Sequence, residues 1–170
     1  MIEYKTNYCI VGFGNHAKTK LVPALVKLEK LIFGIVSSKK NIDTPIRFFK
    51  KLDDAIDEAD EKTIFVLSSP PKAHYSQIKL LLKYQKHIFI EKPIFVHPHE
   101  VDLIEKDLIN KNVIIVEMLM YKFTAQYKRF IKFWNKKKNC CNKIECFFNI
   151  PEIPSNTFRN SDEITSSSLY

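Results

Sequence analysis

Short apolar runs alternate with longer stretches in which apolar residues recur every three or four positions, and this alternation runs through most of the chain. Apolar runs bounded by turn residues predict strands buried on both faces, whereas the wider spacing predicts helices. Strands are expected at Tyr8 to Val11, Leu31 to Val36, Ile46 to Phe49, Thr63 to Leu67, His87 to Ile90 and Val113 to Val116. Between the first two, Ala17, Leu21, Ala24, Leu25 and Leu28 lie at helical spacing, with Pro23 expected to kink or shift the first turns. Asp53 to Ala59 predicts a short acidic helix. Ser68-Ser69-Pro70-Pro71 ends one strand and opens a helix on which His74, Ile78, Leu81 and Leu82 share a face, and Val101, Ile104 and Leu108 mark another helix. Six strands with helices between them predict an α/β fold, a doubly wound parallel sheet.

The first predicted strand ends in Val11-Gly12-Phe13-Gly14-Asn15-His16-Ala17 and leads into a helix. Gly12 permits the tight turn, Gly14 lets the backbone approach a pyrophosphate, and Ala17 is small enough for the helix to pack against the sheet. The free amides at the helix start suit phosphate. Phe13, Asn15 and His16 complete this candidate dinucleotide-binding turn, whose context of strand, turn and helix is what the mechanism requires. At the end of the second strand an acid would accept hydrogen bonds from an unphosphorylated ribose. Here Ser37-Ser38-Lys39-Lys40 stands there, with no acid before Asp43, so NADP is favoured and NAD is the alternative.

The net charge of +8 raises the question of a nucleic-acid partner, and its distribution answers it. Lys128, Arg129, Lys132, Lys136, Lys137, Lys138 and Lys143 fall in one window without an acid, interleaved with Phe130, Phe133 and Trp134. We read this window as an amphipathic helix with a solvated basic face followed by a lysine-rich loop, not as a nucleic-acid surface. No stretch approaches the roughly 20 apolar residues of a membrane helix, so no membrane partner is expected. Residues 1–30 carry charges and no apolar run of signal-peptide length. The four cysteines (Cys9, Cys140, Cys141 and Cys146) are therefore read as free thiols in a reducing cytoplasm. The cysteines lack paired zinc spacing, and His97 and His99 flank Pro98 as a helix start, so no metal is expected.

The order of motifs resembles the Gfo/Idh/MocA family of NAD(P)-dependent oxidoreductases. The resemblance rests on the turn at Gly12 to Ala17, Ser69-Pro70 followed by His74, the strand running into Glu91-Lys92-Pro93, and Tyr121-Lys122-Phe123 after the last strand. It covers about residues 5–150. It implies a Rossmann NAD(P)-binding fold and activity on sugars or polyols. Lys92 is then the catalytic residue, taking the proton of the substrate hydroxyl as hydride passes to the nicotinamide, from a partly buried cleft. Glu91 would orient Lys92 or touch the cofactor ribose, Pro93 would fix the turn, and His74 would lie near the nicotinamide, either touching it or serving only as packing.

The resemblance also implies domain bounds: residues 1–122 for the nucleotide-binding domain, 123–142 for a connecting helix and basic loop, and 143–170 for the truncated start of an α+β substrate domain. Lys143 to Ile150 would be its first strand, leaving Ile144, Phe147 and Phe148 exposed. The expected partners are a small sugar or polyol and either further copies of the chain or a complementing C-terminal domain. The competing reading is a non-catalytic dinucleotide-binding module or one half of a split enzyme.

Overall fold

The computed structural model describes residues 6–38, 44–145 and 147. Six parallel strands form one sheet in the order β3-β2-β1-β4-β5-β6. They are β1 (Asn7–Val11), β2 (Leu31–Val36), β3 (Phe48–Phe49), β4 (Ile64–Leu67), β5 (Ile88–Ile90) and β6 (Ile115–Glu117). The helices are α1 (Val22–Lys27), α2 (Leu52–Glu58), α3 (Pro71–Lys83), α4 (Pro98–Leu108) and α5 (Ala125–Lys137). This is the expected doubly wound parallel sheet.

Alternate side chains of β1 explain why Tyr8 to Val11 is an unbroken apolar run. Cys9 and Val11 join Phe65, Leu67, Ile78, Leu81 and Ile90 in one buried cluster, while Ile10 joins Phe13, Ala17 and Ile35 in a second. Successive strand residues point to opposite faces, so both faces need cover. Burial pushes the Cys9 thiol up to about 12, and the residue packs as a small apolar group. On α3, His74, Ile78, Leu81 and Leu82 are all buried, as their spacing predicts.

The helix after the glycine turn departs from the expected pattern, for a physical reason. Ala17–Leu21 is a π-helical turn, closed by the Val22 amide donating to the Ala17 carbonyl. Pro23 follows directly, has no N–H to continue the ladder, and one residue is added to the turn ahead of it. Of the expected face, Ala17, Leu21 and Leu25 pack in the second cluster, joined by Val22, whereas Ala24 and Leu28 are exposed.

Two strands differ in their bounds. β3 is limited to Phe48–Phe49: the Arg47 carbonyl still accepts from the Ile35 amide of β2 at 2.9 Å, while the Thr44 hydroxyl accepts from the Ile46 amide at 3.2 Å in the turn beside Pro45. β6 begins at Ile115, which pairs with Ile88. Gly34 supports the sheet edge, since a Cβ there would lie 2.5 Å from the Phe49 ring.

The basic window forms α5 and a short 3-10 turn at Lys138–Cys140, and α5 buries none of its residues. Lys143 to Glu145 are not in a strand, and the rest of the strand expected there, except Phe147, lies outside the described residues. Ile144 and Phe147 are exposed. Among the described residues no helix is long and apolar enough to cross a membrane.

Candidate active site

The parallel ladder extends one residue past several strands and thereby fixes the turns that follow. The Gly12 amide donates to the Val36 carbonyl at 2.8 Å, the Ser68 amide to Val11 at 2.7 Å, the Glu91 amide to Leu67 at 2.9 Å and the Met118 amide to Ile90 at 2.8 Å. Four turns thus leave the carboxyl edge of the sheet in register. The strand order reverses between β1 and β4, and ligands of open α/β sheets bind in the crevice at that reversal.

Gly12 sits at the reversal with φ +91°, and a Cβ on it would lie 2.6 Å from the Ser69 nitrogen. The turns after β1 and β4 therefore touch backbone to backbone. Gly14 is the opposite case, because among the described residues a Cβ there would meet nothing within 4 Å. Phe13 is buried with Lys18 Nζ 5.2 Å from its ring centre, Ala17 has no exposure, and the Asn15 carbonyl accepts from Thr19 Oγ1 at 2.9 Å.

His16 and Glu91, from the two motifs, meet across this edge. His16 Nε2 lies 2.8 Å from Glu91 Oε1, an ion-pair distance, and among the described residues these two buried atoms have no other partner. The open space at Gly14, beside the Gly12 turn, fits a dinucleotide. The Glu91 carboxylate, expected either to orient Lys92 or to touch the cofactor ribose, faces His16. Lys92 itself is exposed instead of lying in a partly buried cleft, and no acid pairs with it among the described residues. It precedes Pro93 through a cis peptide bond.

Ser69 donates its hydroxyl to Gln77 Oε1 at 2.6 Å, and Pro70 is the exposed N-cap of α3. His74 is fully buried, with Nε2 2.9 Å from the Ser69 carbonyl and Nδ1 3.1 and 3.2 Å from the Pro93 and Ile94 carbonyls. Burial lowers its pKa, opposed by those three carbonyls and by the charge of Glu91. Both ring nitrogens thus face backbone carbonyls. Sequence reasoning missed Gln77 and also Glu117, whose carboxylate accepts from the Ile94 amide at 3.1 Å and so steadies the turn after Lys92.

Ser37 is buried, its amide donating to the Phe49 carbonyl at 3.1 Å, while Ser38 is exposed and Lys39 lies outside the described residues. His97 is the N-cap of α4, and the Glu100 carboxylate accepts from its amide at 3.0 Å, as a helix start requires.

The geometry agrees with relatives of known classification. The sequence model of the Gfo/Idh/MocA oxidoreductase family, described as an NAD-binding Rossmann fold, matches residues 6–118. Oxidoreductase P35 of Formosa agariphila is 23% identical over 145 residues, which are 81% of this chain and 43% of that protein. Among solved structures, the WlbA dehydrogenase of Bordetella pertussis, in complex with NADH and UDP-GlcNAcA, superimposes with a TM-score of 0.70 at 17% identity, covering 81% of this chain and 41% of that one. WlbA of Thermus thermophilus, in complex with NAD and UDP-GlcNAcA, gives 0.67 at 15% identity, covering 77% and 47%. The chain spans less than half the length of each of these relatives. With a matched segment running from β1 through β6, the chain belongs to the Gfo/Idh/MocA oxidoreductase family and carries its NAD-binding Rossmann domain.

Proposed function

We propose that the chain is the cofactor half of an oxidoreductase that transfers hydride between a nicotinamide dinucleotide and a sugar or polyol. The observation that carries this reading is the convergence of the Gly12 turn, the Ser69 turn and Glu91-Lys92 at the strand-order reversal, with open space at Gly14 and His16 of the first turn 2.8 Å from Glu91. Gly12 to Ala17 bind the pyrophosphate, Ser69 and Pro70 border the nicotinamide end, and the Glu91 carboxylate accepts from a ribose hydroxyl. The bound nicotinamide supplies the hydride acceptor. As an alcohol carbon gives up hydride, Lys92 Nζ takes the hydroxyl proton, leaving a carbonyl. The sugar class is supported by the UDP-GlcNAcA complexes of the WlbA dehydrogenases.

Preference for NADP over NAD is part of this reading, supported by Ser38, Lys39 and Lys40 and by the lack of an acid before Asp43. Replacing Ser38 and Lys39 together with alanine is expected to weaken NADPH about tenfold more than NADH in direct titration, the effect of one lost charge-assisted contact. An unchanged ratio would remove these residues from the phosphate site.

A second reading, a dinucleotide-binding module that works with a complementing domain or chain, is favoured by exposed Met120, Phe123 and Phe133. It shares the cofactor site and differs in turnover by the chain alone. A reducing cytoplasmic setting belongs to both readings.

A further inference from the structure

His74 faces backbone carbonyls on both sides of its ring, and this arrangement sets up a competition. A neutral imidazole carries one N–H and one lone pair. Burial favours that neutral form. Nε2 is 2.9 Å from the Ser69 carbonyl, while Nδ1 is 3.1 and 3.2 Å from those of Pro93 and Ile94, so two turns compete for a single proton. Whichever nitrogen carries it fastens one turn and presents a lone pair to the other. The turns concerned are not equivalent. Ser69 packs against the Gly12 turn, within 2.6 Å of where a Cβ would lie, and Pro93 follows Lys92 directly.

We propose that His74 is a positioning residue for Lys92, and that its one proton, shared between the Ser69 carbonyl and the Pro93 and Ile94 carbonyls, couples the cofactor turn to the lysine turn. With the proton on Nδ1 the turn after Lys92 is held. With it on Nε2 the Ser69 turn is held instead and the lysine turn loses its donor. Passage between the two forms takes one proton from one nitrogen and returns one to the other through water, with no net change in charge. The inference rests on the proposed roles of the Gly12 turn and Lys92.

Imidazole nitrogen spectra of the isotope-labelled 170-residue chain, recorded at neutral pH with and without NADPH, test the shared proton. The His74 signals are identified by their loss in His74→Asn. A neutral ring whose tautomer ratio shifts at least about twofold on NADPH binding is expected. A doubly protonated ring, or an unchanged ratio under saturating NADPH, would overturn the coupling. Exchange of the Ile94 amide in the free protein provides a separate arm. An Asn amide reaches the Nδ1 position and a Gln amide the Nε2 position, so His74→Asn should retain near-native protection while His74→Gln loses about tenfold. Equal protection in the two variants would remove His74 as the support of the Lys92 turn. If NADPH and NADH both fail to bind, the dinucleotide reading fails and the coupling with it, while the exchange comparison still decides whether the ring supports this turn. If neither variant folds, the unsubstituted protein's spectra decide, with His74 then assigned by through-bond correlation to its backbone.

Discussion

Replacing Lys92 with alanine is expected to leave cofactor affinity within about twofold of the original while lowering turnover by about a thousandfold, the scale of a lost general base. Turnover is measured on an enzyme completed to the length of its relatives, and affinity on the chain itself. The separation follows from where Lys92 stands. Its side chain is exposed, it has no acid partner among the described residues, and the backbone contacts that hold its turn belong to its neighbours. Glu91 is anchored through its amide to Leu67, and Ile94 through its amide to Glu117, so removing the Lys92 side chain leaves the turn between them intact. A variant that keeps full turnover would remove Lys92 from proton transfer. One that loses turnover and cofactor affinity in parallel would make it a binding residue.

Gly12→Ala is expected to damage the fold and the cofactor site together. The residue has φ +91°, which costs an L side chain roughly 1–2 kcal/mol. Its Cβ would also lie 2.6, 2.7 and 2.8 Å from the Ser69 nitrogen, Ser69 Cα and Ser68 carbonyl carbon. All three are backbone atoms, so no side chain can rotate away, and overpacking of this kind adds about 1–3 kcal/mol. A loss on the order of 3 kcal/mol is a large part of an ordinary domain's stability. Thermal unfolding should fall by about 10 °C. The relief available to the chain is to push the Ser69 turn away from the Gly12 turn, so cofactor affinity should fall at least about tenfold in the variant that remains folded. Gly14→Ala is the internal control, since a Cβ at that position meets only open space and stability should change little. Its effect should appear in cofactor binding alone.

Much of the frame was legible because strands buried on both faces leave uninterrupted apolar runs. Leu31–Val36 and Ile64–Leu67 are read almost to the residue, and the buried face of α3 follows from spacing alone. The helix after the glycine turn was less legible. Pro23 signalled a disturbance, but only the π turn at Ala17–Leu21 shows that Val22 joins the packed face while Ala24 and Leu28 leave it. At the candidate site, glycine and proline chemistry pointed to the turns, because these residues act through local backbone geometry. The contact of His16 with Glu91, residues from separate motifs, depends on strand order, as do the carbonyls on both sides of His74. Long-range pairing of polar atoms leaves no periodic trace in the sequence. The Glu117 contact with the Ile94 amide was hidden for the same reason.

The most direct test is calorimetric titration of the purified 170-residue chain with NADPH and, separately, with NADH, alongside circular dichroism to establish that it is folded. A folded chain that binds at a single saturable site, NADPH more tightly, is the predicted result. A folded chain that binds neither dinucleotide would contradict the account.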